Sequence, residues 1–203
     1  MPSLLRREPK QDRSRDRIEG ILRIALMLIG QTGIDGVTMK QVAALSGGPI
    51  ASIYQYFPNK SAIVATLFKQ HCSSAREIIG HCLLPVSIPE DIAVAAWNIF
   101  ERNYLAVRQT PDIQDLLNSI MADKSLQGLD LKEKRYQAKM FYDATHHLVP
   151  TAERQAYGRT VLLLFHLAAG MVRLALMLPT TEADGIVSAF RSMTHDRLHF
   201  GQR

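Results

Sequence analysis

Apolar residues recur at three- and four-residue intervals along nearly the whole chain. Ile18, Ile21, Leu22, Ala25, Leu26 and Ile29 occupy positions i, i+3, i+4, i+7, i+8 and i+11, which share one face of an α-helix. Gly30 and Gly33 then weaken and end that helix. Ile63, Val64, Leu67, Phe68 and Cys72 draw a second stripe. No stretch shows sustained period-two alternation between turn residues, so no strand is predicted. The fold class read from the pattern is all-α.

The starts and stops are also legible. Pro89, followed by Glu90 and Asp91, opens a helix carrying Trp97 and Phe100, with acids where the helix dipole favours them. Thr110-Pro111 offers a cap and a first-turn proline ahead of Ile113, Leu116, Leu117 and Ile120. A helix with a less distinct start is predicted within Ser125–Leu148. Pro150-Thr151 precedes what reads as the longest helix, Pro179 closes it, and Thr180 or Thr181 caps a last helix running to about Arg197.

Between Thr38 and Tyr56 the elements shorten. Thr38 caps Met39–Leu45, Ser46-Gly47-Gly48 forces a tight turn because glycine accepts positive φ, and Pro49 starts a helix over Ile50–Gln55. Two short helices joined by a glycine turn make a helix-turn-helix. Val42, Leu45 and Ile53 are expected to lock the pair from inside, leaving Ser52, Tyr54, Gln55 and Tyr56 to face DNA.

Charge adds an address. The 203 residues are 47% hydrophobic, 21% charged and 7% aromatic, a globular composition that excludes disordered, collagenous and disulfide-rich classes. Residues 1–70 carry 10 basic and 5 acidic side chains, while residues 71–203 carry 14 of each, so the whole net charge of +5 falls in the first third. One end of the molecule is therefore expected to meet an anionic partner.

Other chemistry is sparse. Cys72 and Cys82 are ten residues apart, about 15 Å on one helix, too far to bridge, which fits a reducing compartment. Met1–Lys10 is polar and broken by Pro2 and Pro9, unlike a secretion signal. Val161–Leu178 is the longest apolar run, but His166 and Arg173 interrupt it, so it reads as a core or interface helix of a soluble, cytoplasmic protein. His195 and His199 are spaced i, i+4 without a supporting carboxylate or thiol, and no metal or cofactor is expected. No phosphate loop, His-Glu-x-x-His or Gly-x-Ser-x-Gly elbow occurs, so the chain does not read as an enzyme.

Ile21-Leu22, Ala25, Leu28-Ile29, Gly33, Thr38, Val42-Ala43, Gly47, Tyr54-Gln55-Tyr56-Phe57 and Lys60 fall in the spacing of the TetR-family DNA-binding domain. Residues 15–70 resemble that domain in one continuous register; the remainder resembles the family in length and helicity only. The resemblance implies that Thr38 and Lys60, with Lys40 as a third, touch phosphate, and that Tyr54 does so too, with Tyr56 packing or bonding nearby. It implies a departure as well. Where the family commonly has Ala-Gly-Val-Ser and then a polar residue, this chain has Ser46-Gly47-Gly48-Pro49-Ile50. Pro49 starts the recognition helix without a hydroxyl cap, Ile50 and Ala51 can touch only thymine methyl groups, and Ser52 and Gln55 remain the best base readers. Modest direct readout, supported by phosphate contacts and DNA shape, is expected. The organisation read from the chain is a basic arm at 1–14, a helix-turn-helix domain at 15–60 and a helical effector-binding and dimerisation domain at 61–203. Arg6, Arg7, Lys10 and Arg13 of the arm either reach the minor groove and adjacent phosphates or form a solvated tail.

For the C-terminal part, a dimer would place two recognition helices in half-sites about 34 Å apart or a multiple of it. Leu162, Phe165, Ala169, Ile186, Phe190 and Met193 are candidates for that interface, with intramolecular core as the competing reading. Trp97, Phe100, Tyr104, Met121, Met140, Phe141 and Phe165 are candidates to line an effector cavity, or plain core. Arg159, His166 and Arg173 share one helix face. They either hold a polar effector, through His166 or Arg173, or serve as ion pairs and a dimer rim. The expected function is a DNA-binding regulator relieved from its operator by a small-molecule effector, most readily a homodimeric repressor. The alternative is a helical protein-binding adaptor without specific DNA recognition.

Overall fold

The computed structural model describes residues 12–123 and 126–200. Arg6, Arg7 and Lys10 of the expected arm, and the side chain of Arg13, lie outside what is described. Nine α-helices follow one another among the described residues: α1 Asp12–Gly36, α2 Met39–Leu45, α3 Ile50–Tyr54, α4 Lys60–Leu83, α5 Asp91–Arg108, α6 Pro111–Ala122, α7 Gln127–Thr145, α8 Arg154–Met177 and α9 Thr180–Leu198. Two 3-10 turns, His146–Leu148 and Thr151–Glu153, join α7 to α8. No strand occurs among the described residues, and the all-α reading holds.

By packing, the chain divides into two compact units. One comprises residues 1–73 with 110–130, the other residues 74–109 with 131–203. In the first, Ile18, Ile21, Leu22, Ala25 and Ile29 of α1 are buried, as their spacing predicts, around Val42, Ile53, Phe57 and Ile63. α6 joins this core through Leu116 and Ile120. Gly30 does not end α1. It faces α6, and a Cβ there would overlap the Asp112 carboxylate. The break falls at Gly33, whose φ of 67° is open to glycine without strain.

The second unit has an aromatic centre. Phe100 of α5 lies 5.2 Å from Phe165 of α8 and 5.5 Å from Phe190 of α9, and Phe165 lies 5.7 Å from Phe141 of α7. Most polar groups in this core are paired, the buried Thr194 hydroxyl of α9 being an exception. Glu133 receives Arg76 at both carboxylate oxygens and Gln137 Nε2 at 3.0 Å, while the Arg76 guanidinium also lies 4.6 Å from the Tyr136 ring centroid. Thr145 donates to the Phe141 carbonyl at 2.7 Å, so the Tyr157 hydroxyl, 2.5 Å from Thr145 Oγ1, must donate to it. Burial drives the Tyr157 phenol above its ordinary pKa. Cys72 and Cys82 are unbridged and buried on α4; burial pushes the Cys82 thiol up, against the opposing pull of Arg102.

The caps differ in detail from expectation. Thr110 and Pro111 open α6, but Thr110 makes no side-chain cap bond, and Pro179, not Thr180 or Thr181, occupies the N-cap of α9. Asp91 accepts from the Ser87 and Ile88 amides at 2.9 and 3.1 Å, and these bonds hold its carboxyl below the ordinary range. The segment Thr151–Met177 is long and apolar enough, by length and composition, to cross a membrane. One face of α8 nonetheless packs into this unit through Val161, Leu164, Phe165, Met171 and Val172.

Candidate nucleic-acid interface

The helix-turn-helix is set up by local backbone chemistry. Thr38 Oγ1 accepts from the Gln41 amide at 3.2 Å and Gln41 Oε1 accepts from the Thr38 amide at 2.9 Å, a reciprocal capping box that starts α2. At its other end Gly47 has a φ of 73° and the Gly48 amide reaches back to the Ala43 carbonyl at 3.4 Å, ending α2 in a Schellman-type turn. Pro49 precedes α3 in an extended conformation with no side-chain cap, consistent with the missing hydroxyl. Val42 and Ile53 are completely buried and join the two helices. Leu45 does not join them. It is 55% exposed, because its position on α2 turns away from α3 once Val42 and Ala43 fill the inner face.

The surface this leaves carries most of the expected DNA-contacting residues. Thr38, Lys40, Pro49, Ile50, Tyr54 and Gln55 are exposed. Tyr56 is half-buried against the core and Phe57 is fully buried, a wedge behind α3. Two residues are more engaged than the sequence indicates. Lys60 is half-buried, with its ammonium 2.5 Å from the Ile34 carbonyl; two of its three N–H donors remain for another acceptor. It borders a cleft of about 260 Å³ with Asp35, Ser61, Ser119 and Asp123. Ser52 is half-buried, and its Oγ accepts from Arg17 Nη2 at 3.2 Å. Arg17 also donates to the Ser46 carbonyl. Sequence reasoning counted Arg17 only as charge, and nothing in helical spacing marks a residue 35 positions away as its partner.

The body residues are separated differently from expectation. Trp97, Phe100, Tyr104 and Phe141 are buried in the second unit. Met121 belongs to α6 in the first unit and is exposed. His166 is exposed on α8 and Arg173 half-buried; they follow the outer line of that helix rather than the aromatic interior. A cavity of about 20 Å³ in the second unit is lined by Ile79, Phe100, Asn103, Lys134, Gln137 and Phe165, among others. Of the expected pocket residues, only Phe100 and Phe165 border it. Among the expected interface residues, Phe165 and Phe190 are consumed by the aromatic core, Leu162, Ala169 and Ile186 are half-buried, and Met193 is exposed. The outward apolar line on α8 consists instead of Leu163, Leu167, Leu174 and Met177, with Gly170 among them. Their 4-3-4-3 intervals are the heptad signal that would have found them.

This architecture, a capped helix-turn-helix in one unit and a helical second unit, agrees with the comparisons. The profile described as bacterial regulatory proteins, tetR family, matches residues 21–67, and that of the tetracyclin repressor-like C-terminal domain matches residues 90–200, more than half the chain. The chain belongs to the TetR family of bacterial transcription regulators. No curated protein matches it. Among solved structures, it is similar to SmeT, the repressor of the Stenotrophomonas maltophilia multidrug efflux pump SmeDEF, at 14% identity and a TM-score of 0.68 over 88% of each chain. SmeT is also known in complex with triclosan. The fatty acid degradation regulator FadR from Bacillus halodurans is 16% identical, with a TM-score of 0.63 over 97% of this chain and 99% of that one. A TetR-family transcriptional regulator from Streptomyces coelicolor is 20% identical, with a TM-score of 0.64 over 90% and 97%. At these identities the likeness is one of fold.

Proposed function

We propose that the protein is a homodimeric, cytoplasmic repressor that binds a two-half-site operator through α3 and releases it when a small apolar molecule occupies the second unit. The observation that carries the DNA part is the split along α3. Ile53 is completely buried, whereas Pro49, Ile50, Ala51, Tyr54 and Gln55 are exposed on a helix held rigid by its neighbours. A protruding, fixed helix of this kind is what lies in a major groove. Thr38, Lys40, Tyr54 and Lys60 contribute phosphate contacts, Ile50 meets thymine methyl groups, and Ser52 and Gln55 meet base edges.

Dimerisation is supported by the exposed line Leu163, Leu167, Leu174 and Met177 on α8, with Met193 of α9 also exposed. Contiguous apolar surface of this kind on a helix is stabilised by a second copy. The effector part is supported by the make-up of the second unit, in which Asn103, Lys134 and Gln137 face a cavity walled by Phe100 and Phe165. A few polar groups in an apolar wall favour a small molecule with a polar end. At about 20 Å³ the cavity must open to admit one, so binding favours a conformation different from this one.

The test is a titration of the protein–operator complex with a panel of apolar acids, phenols and cations, read by fluorescence anisotropy of the DNA. The reading expects at least one compound to release DNA and to raise the melting temperature of the free protein. A compound that stabilises the protein and tightens its hold on DNA would contradict effector relief, and so would a panel without effect.

A further inference from the structure

The turn between α2 and α3 is bridged by a side chain from α1. Arg17 donates through Nη1 to the Ser46 carbonyl, at the end of α2, and through Nη2 to Ser52 Oγ, in the middle of α3. Gly48 makes room for it. A Cβ at Gly48 would stand 2.6 Å from Arg17 Nη2 and 3.4 Å from Ser52 Oγ. Gly48, unlike Gly47, does not have a positive φ, so its backbone would accept alanine, and what the added methyl would have to displace is the end of the Arg17 side chain. Arg17 is half-buried, and no carboxylate pairs with it among the described residues. Two of its five N–H donors are directed to the helix-turn-helix.

A serine hydroxyl has one proton and two lone pairs. Arg17 occupies one lone pair of Ser52, which weakens the other as an acceptor and strengthens the O–H as a donor, and the Ser52 proton has no partner among the described residues. The O–H is left as a donor on the recognition helix. Base edges in the major groove differ in what they offer such a donor: guanine, adenine and thymine present acceptors, whereas cytosine presents the N4 donor.

We propose that Arg17 is the positioning residue of the DNA interface, and that it acts twice. It fixes the pitch of α3 relative to α1 and α2, and it polarises Ser52 so that the hydroxyl selects a base with an acceptor edge. The proposal rests on the DNA-binding reading above and deepens it. On this proposal Arg17 works through Ser46 and Ser52 and contacts no phosphate, which would separate it from a basic residue that merely attracts DNA.

The experiment uses duplexes enriched by the full-length wild-type protein from a random-sequence library, with a scrambled duplex as control, and measures affinity against salt. The variants are Arg17→Met, Gly48→Ala and Ser52→Ala. Arg17→Met and Gly48→Ala should each lower affinity for the enriched duplex roughly tenfold, the loss of a charge-assisted hydrogen bond, with a smaller effect on scrambled DNA and an unchanged salt slope. Ser52→Ala should admit cytosine at one base position, and in its background Arg17→Met should lose less than it does alone. Gly48→Ala keeps the argument testable if Arg17→Met fails to fold, since it displaces the guanidinium without removing it. The proposal is overturned if Arg17→Met weakens both duplexes alike and lowers the salt slope by about one, which would make it a phosphate contact. It is overturned too if Gly48→Ala binds as wild type. If the wild type enriches no duplex at all, it is the DNA-binding reading beneath the proposal that falls.

Discussion

Substituting Leu174 by arginine should take the protein from dimer to monomer, and the size of the effect can be worked from exposure. Burying a leucine completely contributes about 1.5–3 kcal/mol. Leu163, Leu167 and Leu174 remain 56%, 40% and 46% exposed in one copy, so covering what is left contributes about 1 kcal/mol for each. In a two-fold dimer every substitution appears twice, and loss of Leu174 removes about 2 kcal/mol. Two arginines brought into the same seam add a desolvation and repulsion cost of about 2 kcal/mol, moderated by the reach of their side chains to water. The total of about 4 kcal/mol is close to a thousandfold in dissociation constant. Sedimentation velocity over a concentration series reads this directly. Leu84→Arg serves as the control, since Leu84 is 80% exposed but lies outside α8; it should sediment as wild type. If Leu174→Arg also sediments as a dimer of wild-type affinity, α8 is not the seam and the exposed line needs another explanation.

Three further outcomes are expected. Tyr157→Phe leaves the buried Thr145 Oγ1 without its one donor and should cost about 1–2 kcal/mol, read as a lowered melting midpoint. Gly30→Ala forces a Cβ into the Asp112 carboxylate and should cost about 1–3 kcal/mol; adding Asp112→Ala should recover most of that, and an additive double variant would refute the close-approach account. The Asp91 carboxyl is held below its ordinary value of 3.8 by the Ser87 and Ile88 amides. Its contribution to stability is therefore present above that value and lost as pH falls through the depressed one. Wild type and Asp91→Asn should differ in thermal midpoint at neutral pH and converge in acid, and a difference that persists unchanged in acid would contradict it.

Much of this was legible in the sequence because it depends on near neighbours. Helical spacing placed the buried stripe of α1, and Thr38, Gly47 and Pro49 placed the joints of the helix-turn-helix, since caps and positive-φ turns are decided within a few residues. What escaped depends on partners distant in sequence. Arg17 reads as one more positive charge until the fold sets it against Ser46 and Ser52. Gly30 reads as a helix terminator, but the reason for a glycine there is α6, more than 80 residues on. Phe165 and Phe190 read as interface because they lie on apolar helices, and only the packing of Phe100 against both shows that they belong to the core of the second unit. Leu45 shows the limit of a short helix, where two turns offer too few positions for periodicity to separate inside from outside.

The central claim is that two copies of α3 read DNA together, and selection from a random duplex library with the full-length protein, followed by sequencing, tests it most directly. The account predicts enrichment of a two-fold symmetric motif whose half-sites are spaced by about 34 Å or a multiple of it, with affinity that falls steeply as salt rises. A library that emerges unenriched, or binding that is indifferent to both sequence and salt, would contradict it and leave a helical protein-binding adaptor as the better description.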